Sequence, residues 1–499
     1  MSVIANSTAR RFAACALYAC LFGCAPFGPD GPVDIAIIGE PESLFETGPS
    51  LSPAAQHLRA ASREGLVALD QSGQVIPALA ERWIVTDDGL SYIFRLRERD
   101  WPDDDAITAG DVRTILRGVL SEARDTPLGL DLAKVTDIRA MTERVIELRL
   151  SSPMPEFLRL LAQPELGLVM RGSGAGPMIA SRDEDAGFVR LNALPPQERG
   201  FPGREDWEAT NRALAVRAMP AKPAVEAFAK GDVDLLLGGD LIAFPHIDLG
   251  PLSRGAIQLD PAQGLLGLVF TNDSGLLADP ARREALSMAI DRAQLIQPFG
   301  LGGWQPTSWI VPPGLLETVE KPLPPTRWND LTLEDRRNIA SARISAWRIN
   351  NSGEEAVIRV GLPPGPGSDL VFRGLLQGWA AIGVSAVRVG LGEGADLEWR
   401  DRIARYSSPR WYLNQFNCEI EMGLCSPAAD EAVRASLKVV DANEKRRVLA
   451  EANALLIAEE VFIPLGAPVR WSLVRGSIFN YQPNPWGLHP LFPLSGPTT

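Results

Sequence analysis

Apolar and polar positions along the chain change period many times, and each change marks a short element. The first apolar run of the body, VDIAIIGE (33–40), hardly alternates, which suits a buried parallel strand. Residues 54–68 carry a helical pattern. They lead into GLVALDQSGQVIPALAERWIVTDDGLSYIFRLRERDWPDDD, a segment of hairpin character. Its turns fall at Gln71-Ser72-Gly73 and Asp87-Asp88-Gly89, where glycine takes the positive-φ position. In SYIFRLR (91–97), Tyr92, Phe94 and Leu96 alternate onto one face. Thr108, with Asp111 three residues on, predicts a capped helix from Ala109 to Leu120. Residues 135–150 predict a strand pair ending in VIELRL.

The second half alternates strands and helices. Strand 214–219 is followed by helix 222–230, a C-capping Gly231 and the apolar strand VDLLLGG (233–239). This order predicts an α/β layer. A second series follows GLLGLVF (264–270). It comprises the helix ARREALSMAIDRAQLI (281–296) after Asp279-Pro280, then strand 357–362, helix 369–383 and strand 385–391. A helix over 443–460 precedes the apolar strand VFIPLGAPV. Residues 192–212 are loop-rich, and no internal repeat occurs.

Composition narrows the function classes. A chain of 499 residues has the length of several domains, and its net charge of −13 argues against a bulk nucleic-acid binder. His57, His246 and His489 are scattered without metal-ligand spacing. There is no phosphate-cradling G-x-x-x-x-G-K-S/T loop, no G-x-S-x-G and no H-E-x-x-H, so no cofactor is implied. Arg10 and Arg11 precede the apolar stretch FAACALYACLFG (12–23), which is too short to span a bilayer as a mature helix. Residues 1–23 read as an export signal. The signal ends in Leu21-Phe22-Gly23-Cys24, which resembles the lipobox of bacterial lipoproteins and implies lipidation at Cys24. Cleavage near Ala25, or an uncleaved anchor, stays open. Residues 24–32 form a Pro/Gly-rich tether. Cys418 and Cys425, seven apart, suit a local disulfide in an oxidising compartment; two buried thiols are the alternative.

Seven segments in order resemble one family. They are 79–116 (LAERWIVTDDGLSYIFRLRERDWPDDDAITAGDVRTIL), 147–162 (ELRLSSPMPEFLRLLA), 225–239 (VEAFAKGDVDLLLGG) and 279–296 (DPARREALSMAIDRAQLI), followed by 303–315, 450–476 and 480–490. They are similar to the extracytoplasmic solute-binding proteins of ABC importers, family 5, the peptide/nickel-binding type. The resemblance implies an α/β, two-lobed periplasmic-binding-protein clamshell with an extra N-terminal subdomain and a discontinuous first lobe. The implied boundaries are 33–49, 186–268 and 461–499 for the first lobe, 50–185 for the inserted subdomain and 269–460 for the second lobe. The chain would cross between lobes near Gln263–Phe270 and Val461–Leu465. The implied protein is a monomer in the periplasm or cell envelope, lipid-anchored, that closes on a small organic solute, anionic or peptide-like. It delivers this to an ABC permease in the inner or cytoplasmic membrane.

The same resemblance assigns candidate site residues. Ala-Arg-Tyr-Ser-Ser-Pro (404–409) stands where peptide-binding members have Ala-Asp-Tyr-x-x-Pro, whose aspartate meets the peptide's ammonium. Arg405 reverses that sign, which makes a carboxylate or phosphate near it attractive; pairing with an internal acid is the alternative. Tyr406, Trp411, Asn414 and Asn417 belong to a polar-aromatic stretch that suits a pocket wall or one wet sheet face. Trp304 and Trp207 are candidates for apolar contacts. Trp101, Thr108 and Asp111 read as a supporting turn and cap, and Asp103-Asp104-Asp105 as a solvated turn. The small residues of Ser173-Gly174-Ala175-Gly176-Pro177 allow close backbone approach. Tyr481, Asn484 and Trp486 are expected to pack the first lobe against the hinge. The rival functions are a lipid-tethered receptor or scaffold with a diverged cleft, and a hydrolase, for which no nucleophile–base arrangement is visible.

Overall fold

The structure is a computed structural model that describes residues 31–102, 105–183, 187–248, 255–317 and 327–496. The export signal, Cys24, and Asp103 and Asp104 of the acidic run lie outside the described residues. Val33–Thr499 holds together as one unit.

Strand Val33–Ile38 lies inside a seven-stranded sheet. It runs parallel to Leu214–Met219 on one side and Leu235–Gly239 on the other. Ile35, Ala36 and Ile37 are each fully buried. Burial on both faces explains why this run does not alternate. Helix Ala221–Lys230 makes the right-of-way between the two neighbours and ends at Gly231, whose φ is 99°. The sheet is completed from the far end of the chain. Trp471–Val474 inserts between Leu235–Gly239 and Ile257–Leu259, antiparallel to both. The first lobe is therefore discontinuous.

The inserted subdomain carries a four-stranded antiparallel sheet in the order Ala80–Val85, Ser91–Leu96, Val145–Leu150, Val135–Thr142. Tyr92, Phe94 and Leu96 all face its core. Thr108 and Asp111 exchange cap hydrogen bonds at the start of helix Ala109–Glu122. The helical pattern read over 54–68 stops earlier, at Ser62. Val67–Leu69 pairs with Val75–Pro77 instead, and Val67 and Leu69 are both buried there. Gly174 and Gly176 do allow a close approach: a Cβ on either would fall within 2.2 Å of the Ser62 backbone.

The second lobe is built on a five-stranded sheet, ordered Ser385–Val389, Val357–Gly361, Leu397–Ile403, Gly264–Phe270, Phe462–Gly466. Backbone pairing moves three expected boundaries. Met178–Asp183, expected in the subdomain, pairs within the seven-stranded sheet. Gly264–Phe270 and Phe462–Gly466, expected to straddle the lobes, both lie wholly in the second sheet. The crossings are instead residues 260–263 and 467–470. Gly264 opens the second sheet at φ 152°, where an added Cβ would stand 1.9 Å from the Arg402 carbonyl oxygen. Arg470 in the second crossing grips Asp401 of the second sheet through two hydrogen bonds of 2.8 and 2.9 Å. The single helix expected over 281–296 is two, Pro280–Ala289 and Arg292–Ile296. Ile290 is extended, and the Asp291 carboxylate accepts the Gln294 N–H at 3.0 Å, restarting the helix.

The core of the subdomain continues without a break into part of the second lobe. Leu128, Leu132 and Phe157 share it with Tyr406, Trp411, Leu449 and Phe462. This contact positions the candidate site.

Candidate functional site

Strand Leu397–Ile403 delivers Ala404-Arg405-Tyr406-Ser407-Ser408 to the face of the subdomain. Pro409 then starts a short helix, Pro409–Asn414, because its fixed φ suits the first helical position. All six residues of that helix are buried. The stretch read as a pocket wall or one wet sheet face is thus a buried helix and not a sheet face.

Asp131, on helix Pro127–Leu132 of the subdomain, is the hub of the contact. Its Oδ1 accepts from the Tyr406 hydroxyl and from Asn414 Nδ2, both at 2.9 Å. Arg410 donates to the Leu130 carbonyl at 2.8 Å and the Asp131 carbonyl at 2.6 Å. Arg405 stands 3.6 Å from Asp131 and 3.6 Å from Glu165, and both carboxylates are fully buried. Gln56 donates to Glu165 at 3.2 Å. The charge of Arg405 is therefore answered by internal acids. Burial pushes the Asp131 carboxyl up, opposed by Arg405, Arg410 and the two hydrogen bonds. Burial also holds the Tyr406 hydroxyl well above its ordinary range, so it stays a donor.

Two recesses adjoin this hub and share Gly314, Leu315 and Ser407. The larger, about 560 Å³, follows the first crossing and is mostly apolar, with Leu265, Trp309, Ile310, Tyr412 and Phe462 among its walls. Burial raises the Tyr412 hydroxyl to about 12. The smaller, about 370 Å³, lies between subdomain and second lobe, and Tyr406 is on its wall. Arg405 lines neither.

The other candidates sit apart. Trp411 packs edge-on against Tyr412, with ring centres 4.9 Å apart. Asn417 accepts the Glu419 N–H at 2.9 Å and caps a tight turn. Cys418 and Cys425 are bonded, with their Cα atoms 5.2 Å apart. Trp304 lies flat on Gly466 and donates to the Ala467 carbonyl at 2.8 Å, beside the larger recess. Trp207 stacks on Phe492 of the C-terminal tail. In that tail Asn484 bonds Asp260 of the first crossing at 2.9 Å and Gln71 of the subdomain at 3.3 Å. Trp486 packs under Arg159. The structure thus gathers Arg405, Tyr406 and Asn414, keeps Trp411 on the same helix, and leaves Asn417, Trp304 and Trp207 elsewhere. Asp131, Lys134, Glu165, Arg410 and Lys445 were not among the sequence candidates. The signal for the first two was a charged pair set in an otherwise apolar run, LGLDLAK. Among the described residues no three His, Cys, Asp or Glu side chains are grouped to hold a metal. No described helix is long and apolar enough to cross a membrane.

Comparison with known proteins follows the same outline. Residues 74–189 match the family described as bacterial extracellular solute-binding proteins, family 5, middle region. A probable di/tripeptide-binding protein 5 of Pseudomonas aeruginosa is 23% identical over 479 residues, spanning 83% of this chain and 86% of that protein. OppA of Haemophilus influenzae, solved in complex with RPPGFSPFR, superposes with a TM-score of 0.75 at 17% identity, covering 93% of this chain and 99% of the other. The murein tripeptide binding protein MppA of Escherichia coli gives 0.75 at 18% identity, covering 93% and 97%. Residues 74–189 thus resemble the bacterial extracellular solute-binding proteins of family 5, and the chain has the fold of the two solved binding proteins.

Proposed function

We propose that this protein is the substrate-binding component of an ABC importer. It captures an oligopeptide-like or other small organic solute by lobe closure and delivers it to a membrane permease. One observation carries the reading: among the described residues the chain passes between the two sheets at residues 260–263 and 467–470, and a recess of the second lobe opens beside the first of these crossings. Two short crossings let the lobes swing as bodies about one axis. The apolar walls of the larger recess suit the carbon skeleton of a solute, and backbone and hydroxyl groups near Ser407 suit its polar parts. Relatives named for di/tripeptide binding support the peptide-like class. Export to the periplasm, an export signal over residues 1–23, lipid at Cys24 and a monomeric state belong to the same proposal, and no catalysis is assigned.

A second reading has one observation in its favour. Tyr406, Asn414, Arg405 and Arg410 tie the second lobe to Asp131 of the subdomain through buried contacts, as a receptor or scaffold with fixed lobes would be. Native mass spectrometry of the protein purified from a cell extract separates the two. A small mass that co-purifies and is lost on denaturation supports capture. Absence of any such mass, together with an X-ray scattering radius unchanged by a solute library, supports the scaffold.

A further inference from the structure

The smaller recess is lined by four cations, one from the subdomain and three from the second lobe. Lys134 and Arg410 are each 4% exposed, Lys445 is half-buried and Arg446 is exposed. Their hydrogen-bond partners are neutral oxygens. Lys134 and Lys445 both donate to the Pro153 carbonyl, at 3.0 and 3.2 Å. Arg410 bonds backbone carbonyls of the Asp131 helix, and Arg446 bonds the Asn443 side chain. Among the described residues none of the four forms an ion pair, and Glu156 is the one acid on the lining. Asp131 lies behind Arg410, already engaged by Tyr406 and Asn414. Two lysine side chains converging on one carbonyl in a half-enclosed recess repel each other when both are charged, and an anion between them relieves that repulsion. Charge-assisted hydrogen bonds from such a cluster are the usual means of holding carboxylate or phosphate.

We propose that this cavity is an anion subsite: a carboxylate or phosphate group of an acidic organic solute lies between Lys134 and the Arg410, Lys445 and Arg446 side chains. The inference rests on the solute-capture reading and deepens it, because it places the charge of the solute. The bound anion neutralises one lobe against the other, so occupancy and closure favour each other. The site is distinct from Arg405, whose charge is already met by Asp131 and Glu165.

The test is calorimetric titration of the full chain with inorganic phosphate, glutarate and neutral glutaramide at fixed ionic strength in chloride. The expected result is saturable binding of phosphate or glutarate and none of glutaramide, weakened at least tenfold in Lys134→Met and in Lys445→Gln. A response to phosphate alone assigns a phosphate group, and a response to glutarate alone a carboxylate. Lys445→Gln, on a half-buried helix face, tests the same recess independently from the second lobe. Absence of saturable binding in the unmodified protein, or equal binding in both variants, overturns the subsite. A neutral solute identified by mass spectrometry also overturns it while leaving solute capture standing. Saturable anion binding that leaves the scattering radius unchanged retains the subsite and overturns capture by lobe closure.

Discussion

Replacing Lys134 by methionine should stabilise the protein when no anion is present. Burial, then Lys445 and Arg410, bring the Lys134 ammonium down from its ordinary 10.5 to about 7. At about 1.4 kcal/mol per pH unit, that drop corresponds to roughly 5 kcal/mol of unfavourable charge burial. Methionine keeps the length of the side chain and removes the charge. It also loses the hydrogen bond to the Pro153 carbonyl, which costs about 1 kcal/mol, although Lys445 still satisfies that oxygen. Local relaxation absorbs more, so the expected gain is about 2–4 kcal/mol at pH 6. The pH dependence has a definite sign. The folded chain gives up this proton at lower pH than the unfolded chain. Below about 7 both hold it and the penalty is complete; from about 7 to 10.5 stability rises as the folded form sheds it. The gap between variant and parent should therefore be widest at pH 6 and close toward pH 10.5. Urea unfolding in chloride buffer at several pH values measures it. A variant less stable than the parent at pH 6, or a gap independent of pH, refutes the reasoning.

Other outcomes follow from the same contacts. Asp131→Ala removes the acceptor of Tyr406 and Asn414 and leaves Arg405 facing Glu165 alone; it should cost about 3–5 kcal/mol, with Asp131→Asn losing less, as read from denaturant midpoints. His57 is held neutral: its Nδ1 hydrogen bonds the Pro53 carbonyl at 2.6 Å and its Nε2 accepts the His489 backbone N–H at 3.1 Å. Burial and His489 depress it from 6.5 to about 4, so stability should fall by about 3 kcal/mol as pH drops through that window, and His57→Gln should flatten the profile of melting temperature against pH. Reducing the Cys418–Cys425 bond opens a loop spanning seven positions, for which chain entropy predicts a loss of about 2 kcal/mol; a Cys418→Ser/Cys425→Ser variant that loses nothing argues against that bond in solution.

Much of the fold could be read from local pattern because local pattern determined it. The Thr108–Asp111 cap, the turns at Gly73 and Gly89, and the Gly231 stop are decided within a few residues. Lobe membership is decided by pairing across hundreds of residues. Met178–Asp183 and Phe462–Gly466 look locally like strands of either lobe. Helix Leu333–Asn350 went unread because only Ala340, Ile344 and Trp347 of its eighteen residues are buried. The site was legible in part. Arg405 lines neither recess, and the acids that meet its charge come from positions 131 and 165, beyond any local window. The cation cluster has the same origin, joining Lys134 to Arg410, Lys445 and Arg446.

The discontinuous first lobe also bears on when the molecule can fold. Leu235–Gly239 has Val33–Ile38 as one neighbour and Trp471–Val474 as the other. A chain that emerges N-terminus first, from a ribosome or a membrane channel, holds one edge of that strand open until nearly its last residues appear. Such late, long-range closure makes folding slow and keeps the nascent chain threadable. It also leaves an exposed strand edge for that interval, which a holding chaperone would be expected to cover. Losing the last thirty or so residues would then leave that edge permanently uncovered, rather than merely trimming a tail.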